Sequence, residues 1–493
     1  MKLLTNTLRD INMDCFLGLD IGTSAIKGIL IANDGKILAQ GKENNSYEYP
    51  FHGYVEFDAD ERYKLICRLI KSLILQKPTD WIVRAISISG ASGNALLLDK
   101  QKKPIGNAVS WTDQRAESSY QEILSAFSSD YVHSICGWPK IGSFPLAFFA
   151  WMKKNKPDVY RSATYKASDF IYYNYKLTGY WAHDTSTATN FYLQEQVNQK
   201  YHQPFLDFLE IEDNTLPRIN KCGTIIGNIT PQAAMETGLT QDTLLIAGSF
   251  DHPSAARGTG ILQPGDLLIS CGTSWVGFYP VENREKALKE KMLIDPFLSP
   301  DGPWGAIFSF TNMGGLINNY VNLLFPGELK CFSRFDEAAT QSDIGSNDLQ
   351  FDLTQTIHSP EEYLARLNNF SVSDISRAIM ENMAFLMKKK IAYFQRVGMP
   401  VRKITMVGGP SESKIWPKIL ADVIGIPINL INGEFAGCVG AGILAGIGVG
   451  NITNEADGFA RLKNESAAVV PETMNTEKYQ QIYLRVMNKI AEE

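Results

Sequence analysis

Residues 17–31, LGLDIGTSAIKGILI, place an apolar run, a turn of small residues and a second apolar run in succession. The Gly-Thr-Ser of that turn returns at 272–274 in LLISCGTSWVGFY (267–279), again between two apolar runs. Short apolar runs bounded by turn residues read as strands. A hairpin tip of Gly, Thr and Ser presents backbone N–H groups and two hydroxyls, and its glycine lets an anion approach closely. One such tip is an ordinary turn. Two, half a chain apart in the same setting, predict two related halves that grip one phosphorylated ligand.

The chain has 493 residues, more than the ~250–300 that a single core sustains, so two domains are expected. It is 44% hydrophobic and 20% charged, with a net charge of −6. That is the composition of a globular protein and leaves no basic footprint for nucleic acid. The seven cysteines form no Cys-x-x-Cys pair, so neither a zinc site nor a disulfide framework is indicated, and a reducing cytoplasm fits. The apolar late stretch AGCVGAGILAGIGVG (436–450) is Gly-rich and shorter than the roughly 20 residues of a membrane span. The N-terminal residues lack the continuous apolar core of a signal peptide.

Beyond the first hairpin, NDGK (33–36) supplies an Asp-Gly turn into a third strand. Asp58 and Glu61 have the spacing of a capping box ahead of a helix whose stripe is Leu65, Ile66, Leu69, Ile70, Leu73 and Ile74. RAISISG (84–90) then reads as a strand buried on both faces. From about residue 266 the logic repeats. A helix over about 373–397 stops at Gly398 and Pro400, and 403–431 reads strand, Gly turn, helix, strand. The expected division is an N-terminal extension over 1–14, a first domain over 15–260 and a second over 261–493.

Several landmarks occur in a fixed order: GLDIGTSAIK (18–27), AVSWTDQR (108–115), AGSFDHPSAARGTG (247–260), ISCGTSWVGF (269–278), MGGLINNY (313–320), VGGPSESKIWPKILADVIGIPI (407–428) and AGCVGAGILA (436–445). With KASDFIYYNYKLTGYWAHDTSTAT (166–189) between them, the chain resembles the FGGY carbohydrate kinases over about residues 15–450. The resemblance implies an α/β fold of two actin-like, ribonuclease H-like domains, with ATP and a sugar in the cleft between them. It implies Mg²⁺ as well. The chain departs from the family at Phe148, where a Lys is usual, at Lys418, where a Gln is usual, and at Ser92 and Gly93. Those last two stand in a loop that touches substrate in the family, where xylulose kinases carry Met-His.

Phosphoryl transfer asks for positioning, charge neutralisation and a group to take the acceptor's proton. Asp251, at the end of an apolar run, is either that base, as the resemblance implies, or a cap for the helix that follows. Asp20 ends the first strand and can hold Mg²⁺ through hard oxygen, or close its own turn. Gly22, Thr23, Ser24 and Lys27 match the family's phosphate contacts, as do Gly272 and Thr273 in the second domain. Gly315 and Asn319 match positions near the nucleotide. Gly408 and Gly409 let the chain pass close to adenosine, and Ser413 opens a helix from which a side chain can reach base or ribose. For the sugar, Trp111 offers an aromatic face, and Ser92, Gly93 and His252 join Asp251 as substrate candidates.

The expected activity is ATP-dependent phosphorylation of a small sugar, a ketopentose such as xylulose. A sugar acid such as gluconate, or another ketose or polyol, stays open, as does a homodimer. A non-enzymatic actin-like ATPase-fold protein is the contrasting reading, but it would lack the WTDQR-like and SFDHP-like landmarks at 111–115 and 249–253. Neither nucleic acid nor membrane is expected as a partner.

Overall fold

The computed structural model describes residues 13–492 save 118, 355–358 and 463–466, so the expected extension lies almost wholly outside the described residues. The chain divides into two units. The first takes the described residues of 1–262, 281–306 and 435–463, and the second those of 263–280, 307–434 and 464–493. Two stretches beyond residue 260 therefore return to the first unit.

The first unit is built on β1 (Asp14–Ile21), β2 (Ala25–Ala32), β3 (Ile37–Asn44), β4 (Ile82–Gly90), β5 (Ile225–Asn228) and β6 (Leu244–Phe250). Their order across the sheet is β5-β6-β4-β1-β2-β3. The Gly-Thr-Ser turn joins β1 to β2 as an antiparallel hairpin, and the Asp-Gly turn joins β2 to β3 in the same way. β4 lies parallel to β1, and β6 parallel to β4. Nearly every residue of β1 is buried, as a central strand covered on both faces must be.

The helix Ala59–Gln76 covers one face. Asp58 caps it by accepting from the Asp60 and Glu61 N–H groups at 2.8 and 3.0 Å. The reciprocal half of the expected capping box is not made, because the Glu61 carboxylate accepts from Lys64 instead. Ile66, Leu69, Ile70 and Leu73 of the stripe are buried, together with Tyr63 and Cys67. The other face takes the helix Ala436–Gly448, the stretch too short to span a membrane. Its glycines let backbone meet backbone. A Cβ on Gly440 would overlap the Ser254 carbonyl of the helix Asp251–Gly258, and one on Gly18 of β1 would overlap the Cys438 carbonyl. Among the described residues no helix is long and apolar enough to cross a membrane.

The second unit repeats the pattern with β7 (Asp266–Cys271), β8 (Trp275–Val281), β9 (Lys403–Gly408), β10 (Ile428–Leu430) and β11 (Ala467–Val469). They run in the order β8-β7-β9-β10-β11. β7 and β8 form the antiparallel hairpin around the second Gly-Thr-Ser, and β9 and β10 follow in parallel. This is the succession of β2, β1, β4 and β6. The helix Val372–Arg396, with Ser371 and Asp374 forming a capping box, carries much of the unit's core: Ile379, Met380, Met383 and Met387 are fully buried.

Candidate active site

In the first unit the polar groups collect at the ends of β1, β4 and β6. Asp20 and Lys27 are directly opposed in the β1–β2 register, which sets both side chains on one face of the sheet. Burial raises the Asp20 carboxyl to about 7; the nearby Asp251 charge adds to the rise and Lys27 opposes it. Asp20 Oδ1 is buried and has no hydrogen-bond partner among the described residues. The turn that follows is held from outside. Gly22 N donates to Ala25 O at 3.0 Å, and Asn45 Nδ2 donates to Gly22 O at 2.6 Å. Ser24 contributes its carbonyl to Asn45 N at 3.0 Å. Nothing local in the sequence marked Asn45, which lies two strands further on.

Trp111 ties this turn to the loop after β4. Its indole N–H donates to Thr23 Oγ1 at 3.2 Å, and its backbone N–H to Asn94 Oδ1 at 3.0 Å. With Thr23 Oγ1 accepting from the indole, its own O–H proton is left for another acceptor. Gly93 has φ +97°, where L side chains are strained, and a Cβ there would run into the Phe144 ring. Ser92 is buried, and its hydroxyl has no partner among the described residues. Beneath them Asn94 Nδ2 donates to Asp169 Oδ2 at 2.9 Å, and Arg62 lies 4.0 Å from the same carboxylate.

Asp251 is the first residue of its helix, not the residue before it; that position is Phe250, which makes no side-chain cap. The Asp251 carboxylate accepts from the His252 N–H at 2.7 Å, and its side chain is 31% exposed. His252 packs edge-on against Phe250 with ring centroids 5.3 Å apart. Phe250 N in turn donates to Ser186 Oγ at 3.0 Å, and the Ser186 hydroxyl donates to Asp295. The strand end that carries Asp251 is thus fixed by two buried residues from distant segments. Asp113 and Arg115 bind each other at 2.8–2.9 Å.

The second unit holds a cavity of about 690 Å³. Gly272, Thr273, Gly315, Gly409 and Ser413, all nucleotide-contact candidates in the sequence, line it. Asn318 lines it where the motif pointed to Asn319, and Gly408, at φ +100°, stands just behind Gly409. The helix Met313–Leu324 begins on the Gly-Thr-Ser turn: Gly315 N donates to Thr273 O at 3.0 Å, and Asn312 N to Ser274 Oγ at 2.9 Å. A Cβ on Gly314 would overlap the Gly272 carbonyl, so only glycine permits this contact. Ser413 stands before the helix Trp416–Ile424, its Oγ accepting from Trp416 N at 3.1 Å. Phe332, Asp336 and Trp416 are also part of the lining. The first two went unmarked in the sequence, where they sit on a helix between landmarks.

Two departures from the resemblance are structural. Phe148 is buried and stacks on Trp151, and Lys418 pairs with Asp422 and Glu472 at 3.1 and 2.9 Å. Neither lines the cavity of the second unit.

Two hairpins of like sequence, each heading a sheet of the same strand order, define a duplicated fold. Residues 15–258 match the N-terminal domain, and residues 351–449 the C-terminal domain, of the FGGY family of carbohydrate kinases. The chain belongs to that family and is a sugar kinase, a phosphotransferase with an alcohol group as acceptor. It is 26% identical to the xylulose kinase of Staphylococcus epidermidis over 479 residues, covering 95% of this chain and 94% of that protein. The xylulose kinase structure from Rhodospirillum rubrum superposes with a TM-score of 0.86 at 20% identity, covering 96% and 98% of the two chains. That of gluconate kinase from Lactobacillus acidophilus gives 0.82 at 19% identity, covering 97% and 98%. These likenesses establish two actin-like, ribonuclease H-like domains.

Proposed function

We propose that this kinase transfers the γ-phosphoryl group of ATP to a hydroxyl of a ketopentose such as xylulose. The observation that carries the reading is the grouping at the strand ends of the first unit. A half-exposed carboxylate, Asp251, stands close enough to the buried Asp20 to raise it, and Trp111 joins the phosphate turn to the loop of Ser92 and Gly93. Asp251 takes the proton of the sugar hydroxyl as it attacks. Trp111 gives the sugar's C–H surface an aromatic face, and His252 flanks the base. Thr23, with its proton free to donate, and Lys27 bind phosphate oxygens. In the second unit the N–H groups and hydroxyl of Gly272–Thr273 hold the terminal phosphates, and the cavity beside them takes the rest of the nucleotide.

Mg²⁺ fits the donor set. The unpartnered buried oxygen of Asp20 is a hard ligand, and Mg²⁺ keeps several waters and needs few protein groups. Asp20 would hold the ion directly or through water, and the bound ion would neutralise phosphate charge. The test is a coupled ADP-release assay with Mg²⁺–ATP over D-xylulose, D-ribulose, glycerol and gluconate. The highest kcat/KM is expected with a ketopentose. A preference for gluconate would replace the ketopentose with a sugar acid. No ADP release with any of the four would refute the substrate reading as a whole.

A further inference from the structure

Within the cavity of the second unit, the groups that would tell one nucleotide from another are not those the motifs named. Ser413 spends its hydroxyl oxygen on its own chain, accepting from Ile415 N at 3.3 Å and Trp416 N at 3.1 Å, so both lone pairs are in use. Asp336 is not committed in this way. A carboxylate accepts at about four lone-pair sites, and the single proton of the nearby Ser413 hydroxyl can take at most one. Asp336 comes from the helix Cys331–Thr340, whose inner side buries Phe335 and Ala339. Phe332, Ser333 and Asp336 turn to the cavity instead. Phe332 is 43% exposed, a large aromatic surface left open at the cavity wall. Phe332 and Asp336 are four residues apart, so they stand side by side on one face, about 5–6 Å between their Cβ atoms. That is the spacing of an aromatic ring that stacks on a base and a carboxylate at the base's edge.

We infer that Phe332 and Asp336 form the nucleobase subsite, Phe332 stacking on the purine and the Asp336 carboxylate accepting from the exocyclic amine of adenine. The inference rests on the proposal that this cavity takes the nucleotide, and it goes further by naming what selects the base. Gly409 and Pro410 also line the cavity but carry no side-chain hydrogen-bonding group, so their side chains cannot discriminate one purine from another. An amine-to-carboxylate bond is charge-assisted and directional, whereas stacking is indifferent to the substituent.

The test uses calorimetric titration of the full-length protein with ADP and with the 5′-diphosphate of purine riboside. The latter keeps the ring but lacks the amine. Wild type should bind ADP about tenfold more tightly, the low end for a hydrogen bond to a charged group at a site open to water. Asp336→Ala should bring the two dissociation constants within about twofold by weakening ADP alone. Phe332→Ala should weaken both diphosphates by a similar factor and leave their ratio standing. Because the readout is a ratio of two ligands on one protein, a partial loss of folded material does not alter it. ADP binding in Asp336→Ala with the wild-type ratio intact would overturn the inference and leave the nucleotide proposal in place. Binding of neither diphosphate to wild type would overturn both.

Discussion

Replacing Asp251 by Asn separates its two readings by magnitude. As the base, the carboxylate contributes about 10²–10⁴-fold to turnover, which is about 2.7–5.4 kcal/mol of barrier at 1.36 kcal/mol per tenfold. As a favourable charge in the first turn of the helix Asp251–Gly258, it contributes only about 0.3–1 kcal/mol to stability. Asn keeps an oxygen to accept from the His252 N–H and nearly the same volume, so the fold should survive with little loss. The expected result is a fall in kcat of a hundredfold or more in the coupled assay, on whichever sugar wild type turns over best. Thermal unfolding and the dissociation constant of ADP should be close to wild type. A variant that keeps near-full kcat would refute the base assignment. A variant that loses activity and melting temperature together would show that the carboxylate acts through the fold.

Three further outcomes are expected. Thr273→Val should raise the KM for ATP by about one to two orders of magnitude, the equivalent of a ~1.5–3 kcal/mol hydrogen bond to a charged group, and unchanged ATP kinetics in a folded variant would make that turn merely structural. Gly440→Ala should lower the melting temperature: overlap with the Ser254 carbonyl costs about 1–3 kcal/mol, more than the ~1 kcal/mol that alanine adds in a helix, and a higher melting temperature would contradict the close packing. Asp169, fully buried, has its carboxyl raised by burial from 3.8 to about 6, with Arg62 and Asn94 opposing the rise. The native state therefore holds that proton more tightly than the unfolded state, so stability falls as pH rises from about 4 to about 6. Asp169→Asn should match wild type below that window and exceed it above, by up to about 3 kcal/mol, in urea unfolding at a series of pH values; a gap that shrinks with rising pH would reverse the sign of the argument.

How far the sequence could be read depended on distance along the chain. Both Gly-Thr-Ser hairpins, the Asp58 cap and the helix ending before Gly398 were legible because their causes are local: turn chemistry, a capping oxygen, an apolar stripe. The trapped positions were those that depend on remote partners. Asn45 is an unremarked polar residue until β3 returns beside the turn, and Phe332 and Asp336 lie on a helix whose residues match no landmark. Asn318, the neighbour of the candidate Asn319, lines the cavity, and a motif does not fix which of two adjacent helical residues turns toward it. Gly93 was visible as a departure. That a Phe144 ring fills the space beside it was not, because Phe144 is fifty-one positions further on.

The glycine-rich helix Ala436–Gly448 belongs to the first unit, yet roughly 170 residues separate it from Leu262, where that unit's main stretch ends. At ~5–20 residues per second, the ribosome delivers it on the order of ten to thirty seconds after Leu262. Throughout that interval β1 waits with the face around Gly18 bare, and the growing chain carries an apolar sheet that only its own late segment can cover. A nascent protein stalled after Glu434 should therefore be a client of holding chaperones. An expression fragment cut at the family boundary near 258 should be insoluble unless the segment from Phe435 onward is supplied alongside it.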